Sequence, residues 1–138
     1  MQTFLPYPSF ALSASVLDRQ RLGKQRVEVL QLLKAITTGC AWSKHPAAKM
    51  WENNIDALCD YGIAICKEWI FRGYKDTCLE KIKAYKTYTV TLIPSWLGNE
   101  DFHRSHRSNL LRKNFEHYSQ FFNEPNNLEY IWPSKGDD

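Results

Sequence analysis

Apolar side chains recur every three or four residues over a first long stretch of the chain, residues 13–38. The recurring positions are Leu22, Val29, Leu33 and Ile36. This spacing places them on one face of a helix, and a glycine such as Gly39 commonly ends one. The pattern therefore predicts a long helix over about 13–38, which Ser13 or Ser15 would cap.

A second apolar stripe predicts another long helix, over about 47–71. Its recurring positions are Trp51, Ile55, Leu58, Gly62, Ile65 and Trp69. Pro46 suits the first turn of a helix, and Gly73 follows as a stop. Shorter helices are predicted at 76–86 and 100–122, and the two long helices are expected to pack on each other.

The remaining segments favour irregular structure. Pro6 and Pro8 exclude a regular helix over residues 1–12, which predicts an extended N-terminal arm. The run 87–97 has β-favouring residues but no partner strand, so an extended connection is predicted there. A loop-like C-terminal tail follows residue 122. The predicted fold class is all-α, with residues 1–138 as a single compact domain.

Charge is unevenly distributed along a chain whose net charge is only +3. Residues 13–38 contain five basic and two acidic side chains, and residues 103–113 contain four basic and no acidic ones. The rest of the chain is therefore net negative. Two basic stretches on an acidic body are typical of a polyanion binder, although solvated helix faces have the same pattern.

One carboxylate stands within the first basic stretch. Arg21, Lys24, Glu28 and Gln31 follow helical spacing and share a face roughly opposite the apolar stripe. An ordinary i,i+4 salt bridge between Lys24 and Glu28 would explain the pair. A carboxylate among phosphate-binding residues can also stabilise a cationic sugar or transfer a proton, so Glu28 is a candidate catalytic residue.

The second basic stretch adds further candidates for contact with double-stranded DNA. Taking both stretches together, the predicted DNA-binding residues are Gln20, Arg21, Lys24, Arg26, Gln31, His45, Arg104, His106, Arg107 and Lys113. His103 and His106 lie three residues apart, but a zinc site would need two more ligands, such as Cys40 or His45, from elsewhere. No metal site is predicted.

Several classes of function lack their usual motifs. The chain has no Walker, GxGxxG, HExxH or GxSxG pattern, so nucleotide hydrolysis, hydride transfer and zinc-peptidase chemistry are unsupported. No cofactor is expected.

The cysteines indicate where the protein is found. Four cysteines without CxxC spacing indicate free thiols and a reducing, cytoplasmic compartment. No membrane span is expected, because no apolar run approaches about 20 residues. We expect a monomer.

Two stretches resemble the pyrimidine-dimer DNA glycosylases of the endonuclease V type. Residues 50–74 are similar to the long central helix of that family, which ends in an Arg–Gly–aromatic turn like Arg72–Tyr74. Gln20, Leu22 and Glu28 have the spacing of the family's Gln–x–Leu–(five residues)–Glu, whose Glu is the catalytic carboxylate.

The resemblance implies an all-α enzyme that needs no metal and flips a nucleotide out of the duplex. It implies that the N-terminal α-amine, here that of Met1, attacks C1′ of the deoxyribose and expels the base. A Schiff base then forms, and β-elimination nicks the strand. Glu28 would assist the proton transfers and stabilise the positive charge that develops at the sugar.

The chain departs from the family pattern in two places. The family's nucleophile is a Thr exposed by removal of Met, whereas this chain begins Met1–Gln2. Val27 and Gln31 also stand where the family has arginines. Two alternatives therefore remain beside the glycosylase with AP-lyase activity: a glycosylase that uses Glu28 and water without a Schiff base, and a non-catalytic nucleic-acid-binding module on the same scaffold.

Overall fold

The chain, described over residues 1–87 and 92–133 in a computed structural model, is folded into α-helices. In chain order these are α1 (Phe10–Val16), α2 (Arg19–Thr38), α3 (Pro46–Lys49), α4 (Ile55–Phe71), α5 (Leu79–Lys83), α6 (Glu100–Lys113) and α7 (Phe115–Tyr118), with a 3-10 turn at Ala41–Lys44 before α3. Within the described ranges there is no strand, which confirms the all-α fold class. None of these helices is long and apolar enough to cross a membrane.

The predicted helix over 13–38 is two helices. Ser9 caps α1 by accepting a hydrogen bond from the backbone N–H of Leu12, so this helix begins at Phe10, inside the segment expected to be extended. Leu17 and Asp18 are in extended conformation and end it. The N–H of Asp18 donates to the hydroxyl of Tyr118, which gives this break a tertiary partner.

The predicted helix over 47–71 is also interrupted. The four-residue α3 is followed by a turn, and α4 begins only at Ile55. Met50 and the adjacent Trp51 are both buried, and the indole N–H of Trp51 donates to the hydroxyl of Thr3. A turn lets these two consecutive side chains enter the core, whereas successive residues of a helix point about 100° apart.

Two shorter predicted helices differ in length for local reasons. The helix expected at 76–86 is limited to Leu79–Lys83, because the Asp76 carboxylate accepts from the N–H groups of Cys78 and Leu79. The helix expected at 100–122 is divided at Asn114, which leaves the helical conformation and caps α7. The connection expected at 87–97 lies partly outside the described residues.

Helix α4 is the centre of the packing and contacts α1, α2 and α5. Its Gly62 is the point of closest approach, since a Cβ atom there would lie 2.7 Å from Cγ1 of Val29 on α2. This contact buries Val29 and Ile65 completely. The position of α2 relative to the core is thereby fixed, with its polar face directed outward.

Helix α6 buries most of its side chains, and of the four basic residues in 103–113 it exposes Arg104, Arg112 and Lys113 but buries Arg107. Ser105, Ser108 and Asn109 are buried, and they hydrogen-bond to backbone groups of the C-terminal segment, including the carbonyl of Leu128 and the N–H of Ile131. Over the described residues 119–133 that segment has no helix or strand to pair its own backbone, so polar side chains of α6 supply the partners. The tail covers α6 as a result.

Candidate active site

A cleft of about 370 Å³ opens beside the polar face of α2. The arm, α2, the end of α6 and the tail all contribute to its walls. We call it the Glu28 cleft, and its lining residues are Met1, Gln2, Phe4, Gln20, Arg21, Lys24, Gln25, Glu28, Lys113 and Tyr130.

Gln25 joins Glu28 to the N-terminal arm. Its amide nitrogen donates to the Glu28 carboxylate at 2.9 Å and to the backbone carbonyl of Gln2 at 2.8 Å. Its amide oxygen accepts from the N–H of Phe4 at 3.1 Å and lies 2.8 Å from the hydroxyl of Tyr61. Gln25 is buried, so one amide holds both the carboxylate and the arm that ends at Met1.

Two histidines of α6 form hydrogen bonds to the backbone of the arm at Leu5, and we call this pair the histidine clasp. The N–H of Leu5 donates to Nδ1 of His106 at 2.9 Å, and Nδ1 of His103 donates to the carbonyl of Leu5 at 2.8 Å. Nε2 of His103 accepts from the N–H of Gly98, so this ring is neutral with its proton on Nδ1. The arm is thus held through its backbone by side chains from α2 and α6.

Burial keeps both of these rings uncharged. It lowers the pKa of His106 to about 3, with a smaller effect from neighbouring His103. Burial also lowers the pKa of His103, against the raising effect of its bond to Leu5. The neutral form of His106 can accept from the Leu5 N–H, whereas a protonated ring could not.

His45 stands between the 3-10 turn at Ala41–Lys44 and α3. The pKa of His45 is lowered by partial burial and by the positive charge of the Met1 α-ammonium. Nδ1 of His45 caps α3 by accepting from the N–H of Ala47 at 3.0 Å.

Glu28 is largely enclosed but has no strong ion pair. Its side chain is only 13% exposed, and the Nζ of Lys24 lies 3.9 Å away with 74% of that side chain exposed. A long contact to a solvated lysine contributes little binding energy. Nearby, Arg21 is paired with Asp18 at 3.2 Å, and Lys113 is exposed at the end of α6. The residues that line the cleft therefore include one carboxylate, Glu28, and three basic side chains besides Met1.

Three of the predicted DNA-binding residues are engaged elsewhere. Arg26 pairs with Asp76 at 2.7 Å and stacks on the Trp69 ring. His106 is fully buried and bonds to the arm, so its ring is not at the surface where the prediction of phosphate contact needs it. Arg107 is buried as well, with a small exposed fraction.

The buried Arg107 joins several parts of the fold. Its guanidinium pairs with Glu124 at 2.8 Å and with Glu100, and it donates to the carbonyl of Pro6. It therefore ties the arm to α6 and the tail. Arg104 is exposed on α6 but does not line the cleft.

The remaining predicted residues lie on the polar face of α2 or around the cleft. Met1, Gln20, Arg21, Lys24, Glu28 and Lys113 line the Glu28 cleft, and Gln31 lies three residues beyond Glu28 on α2. Sequence reasoning missed Gln25, Gln2 and Tyr130. A signal for Gln25 was present, because it occupies a position of the apolar stripe, three residues after Leu22 and four before Val29.

One comparison of the sequence with known families finds a match. A model of the family described as pyrimidine dimer DNA glycosylase matches residues 1–82, which is more than half of the chain. The chain belongs to the pyrimidine dimer DNA glycosylase family. Membership makes it a DNA glycosylase of the DNA-repair type and implies that it binds DNA. No curated protein and no solved structure matches it at a significant level.

The matched region contains most of the cleft of this glycosylase. Met1, Glu28 and Gln25 lie within residues 1–82, whereas Lys113 and Tyr130 come from the part of the chain beyond the match. Among the residues that the structure describes, no group of three or more His, Cys, Asp and Glu side chains could hold a metal ion. The residues that line the cleft supply an α-amino group, a carboxylate and basic side chains.

Proposed function

We propose that this glycosylase releases a damaged or modified base from duplex DNA and then nicks the strand as an AP lyase. The observation that supports this most directly is that Met1 and Glu28 line the same cleft. An amine and a carboxylate in one cleft supply the nucleophile and the proton-transfer group that the reaction needs. Lys24 and Lys113 would bind the flanking phosphates.

In the proposed reaction, the neutral α-amine of Met1 forms a bond to C1′ of the flipped nucleotide. The bond from C1′ to the base breaks, and the base leaves with the electron pair and takes up a proton from solvent, so that the nitrogen keeps both of its protons. Opening of the sugar ring at the C1′–O4′ bond, with a proton passing from nitrogen to O4′, gives the protonated Schiff base. Loss of a C2′ proton then expels the 3′-phosphate, which cuts the strand.

Glu28 is the residue that we assign to these proton transfers. Its enclosed carboxylate can accept a proton and return it, and its negative charge stabilises the cationic sugar. The bond from Gln25 keeps one carboxylate oxygen in place and leaves the other for the substrate. The substitution Glu28→Gln is expected to slow base release by about 100- to 10,000-fold.

Borohydride trapping tests the proposal. The protein is incubated with a duplex that has one abasic site or one pyrimidine dimer, and borohydride is added to reduce any Schiff base to a stable adduct. We expect a covalent adduct that maps by mass spectrometry to the peptide beginning at Met1. Chemical blocking of the α-amine should abolish it.

A matched control removes the other amines of the cleft. The double variant Lys24→Arg, Lys113→Arg keeps both charges but cannot form a Schiff base through those side chains, so trapping should persist. Base release without an adduct would contradict the amine mechanism and leave a glycosylase in which Glu28 activates water. DNA binding with neither reaction, and unchanged by Glu28→Gln, would leave a binding module.

A further inference from the structure

Tyr118, a residue of α7, is connected to one of the basic residues of the Glu28 cleft. Tyr118 is fully buried, and its hydroxyl donates to the carboxylate of Asp18 and accepts from the backbone N–H of Asp18 at 3.0 Å. Both oxygens of this carboxylate accept from Nη1 of Arg21, at 3.2 and 3.3 Å. Arg21 lines the cleft, whereas Asp18 and Tyr118 do not. We call these three residues the Arg21 network, and it leads from the interior of the protein to the cleft.

The local sequence places Asp18 where an aspartate commonly has another task. It is the residue before α2, and a carboxylate at that position usually accepts from a backbone N–H of the first turn. The Asp18 side chain makes no such capping bond and binds Arg21 and Tyr118 instead. Asn114 caps α7, of which Tyr118 is the last residue. The carboxylate is therefore held by a residue of a distant helix and not by the first turn of its own.

Asp18 is ionised, and its ion pair with Arg21 is largely enclosed. Burial opposes the charged form of this carboxyl, but the hydrogen bonds from Tyr118 and Arg21 outweigh burial and lower the pKa of Asp18. The Asp18 and Arg21 side chains are only 13% and 23% exposed. An enclosed pair with two such bonds holds the guanidinium in one orientation, unlike the long contact of the exposed Lys24 with Glu28. The Arg21 network therefore gives the cleft one cation with a fixed direction.

The described part of the fold uses the guanidinium of Arg21 only in part. A guanidinium has five N–H groups, and in Arg21 only Nη1 is bonded to the described residues. Arg72 and Arg107 differ, because each donates from Nε and from Nη2 to groups of the fold. Nε and Nη2 form the edge that binds a phosphate or a carboxylate through two parallel hydrogen bonds. Arg21 therefore has this edge available for an anion that enters the cleft.

We propose that Tyr118 and Asp18 are positioning residues, which orient Arg21 so that its Nε and Nη2 bind one phosphate of the damaged strand. This inference rests on the proposed function, because Met1 and Glu28 act in the cleft that Arg21 lines. A bidentate contact fixes the direction of the phosphate as well as its distance, whereas a lysine acts as a point charge. The strand is then held with its reacting sugar at the Met1 amine. Tyr118 comes from the part of the chain beyond the family match.

A double-mutant cycle in turnover tests whether Tyr118 acts through Arg21. The quantity measured is the single-turnover rate of nicking of a duplex with one abasic site. Tyr118→Phe removes one hydroxyl and should slow nicking by about 10- to 100-fold, because a displaced phosphate carries the sugar away from the amine. In the Arg21→Ala background, the same change should have no further effect. Equal fold losses with and without Arg21 would overturn the proposal, since they would show a general contribution of Tyr118 to the fold, and an unchanged rate with Tyr118→Phe would overturn it as well.

Three further variants complete the design. Arg21→Lys keeps the charge but cannot form two parallel bonds, so nicking should stay about 10-fold or more below the wild-type rate. Asp18→Asn keeps an acceptor for the Tyr118 hydroxyl but loses the charge that holds Arg21, and it should reproduce the loss even if Tyr118→Phe does not fold. Full activity of either variant would overturn the proposal. Ile82→Val is the control, because it shortens a buried side chain of α5 outside the cleft and should leave the rate unchanged.

Failure of this inference is distinguishable from failure of the proposed function. A wild-type protein that neither releases a base nor nicks the duplex would refute the proposed function. The cycle is then measured in the equilibrium affinity for the abasic duplex, where Tyr118→Phe should weaken binding when Arg21 is present and not when it is replaced by Ala. Equal weakening in both backgrounds, or none in either, would overturn the positioning role of Tyr118.

Discussion

At the scale of single residues, the site depends on the buried amide of Gln25, a polar residue at a position of the apolar stripe of α2. Gln25 satisfies the N–H of Phe4 and the carbonyl of Gln2, both in the buried part of the arm, and it orients Glu28. A glutamine has both a donor and an acceptor group, which no apolar residue of similar size provides. The same side chain therefore serves the fold and the site.

Replacing this amide by an apolar group tests that double role. Gln25→Leu leaves a buried N–H and a buried carbonyl without partners, and each such group costs about 1–3 kcal/mol. We expect the free energy of unfolding to fall by about 3 kcal/mol in urea denaturation. Gln31→Leu, on the exposed face of the same helix, should change it by less than about 0.5 kcal/mol. Equal stability of the two variants would contradict the assignment.

At the scale of elements, one contact positions α2 and one clasp positions the arm. Gly62 permits α4 to approach α2 so closely that Val29 touches the space where a side chain would begin. His103 and His106 of α6 hold Leu5 through its backbone. The first contact fixes the helix that presents Glu28, and the second fixes the arm that presents Met1.

A double-mutant cycle measures the helix contact. Gly62→Ala gains about 1 kcal/mol of helix propensity but overpacks the interface at a cost of about 1–3 kcal/mol, so a net loss of stability is expected. Val29→Ala removes the Cγ1 atom that lies 2.7 Å from the added methyl group. Its cost should therefore be smaller in the Gly62→Ala background than in the wild type. Strictly additive effects would show that the two positions do not touch.

The histidine clasp predicts a pH dependence of stability. Burial lowers the pKa of His106 to about 3, below the value of about 6.5 for an unfolded histidine. The unfolded chain therefore takes up the proton first, and stability is full above about pH 6.5 and falls as the pH decreases toward the folded pKa. Urea midpoints measured between about pH 7 and pH 5 should decline.

His106→Gln is the variant that isolates this contribution. The amide oxygen of Gln can still accept from the Leu5 N–H but does not titrate over this range. The slope of stability against pH should be shallower than in the wild type, while part of it remains because the pKa of His103 is also lowered by burial. A slope that does not change would exclude His106 as a source of the pH dependence.

At the scale of the whole molecule, the two basic stretches have different roles. The polar face of α2 lines the Glu28 cleft with cations, whereas α6 is mostly interior and its Arg107 binds carboxylates within the fold. Of the α6 residues predicted to contact DNA, Lys113 lines the cleft. Charge counted along the sequence therefore includes Arg107, whose guanidinium is paired within the fold.

Salt dependence of DNA binding distinguishes the two kinds of basic residue. Lys113→Ala should weaken binding and reduce the slope of log K against log salt by about one unit, because one phosphate contact is lost. Arg107→Met should leave that slope unchanged and lower the free energy of unfolding by about 3 kcal/mol, since the enclosed Glu124 loses its partner. A salt slope that changes with Arg107→Met but not with Lys113→Ala would show that Arg107, and not Lys113, contacts the phosphates.

The sequence by itself determined the helical class, the two long apolar stripes and the polar face of α2 on which Glu28 stands, because helical periodicity is a local property of the chain. It did not determine where those helices break. Leu17–Asp18 and residues 50–54 leave the helix through contacts with Tyr118 and Thr3, about a hundred and about fifty residues away in the sequence.

Only the tertiary structure decided which basic residues line the cleft and that Met1 lines it together with Glu28. Arg107 and Lys113 belong to the same helix, but the arm and the tail cover Arg107 and leave Lys113 exposed. Met1 reaches the cleft that Glu28 lines because Gln25, His103 and His106 bind the backbone of the arm. Burial and long-range hydrogen bonds depend on which segments meet in space, and no local spacing encodes that.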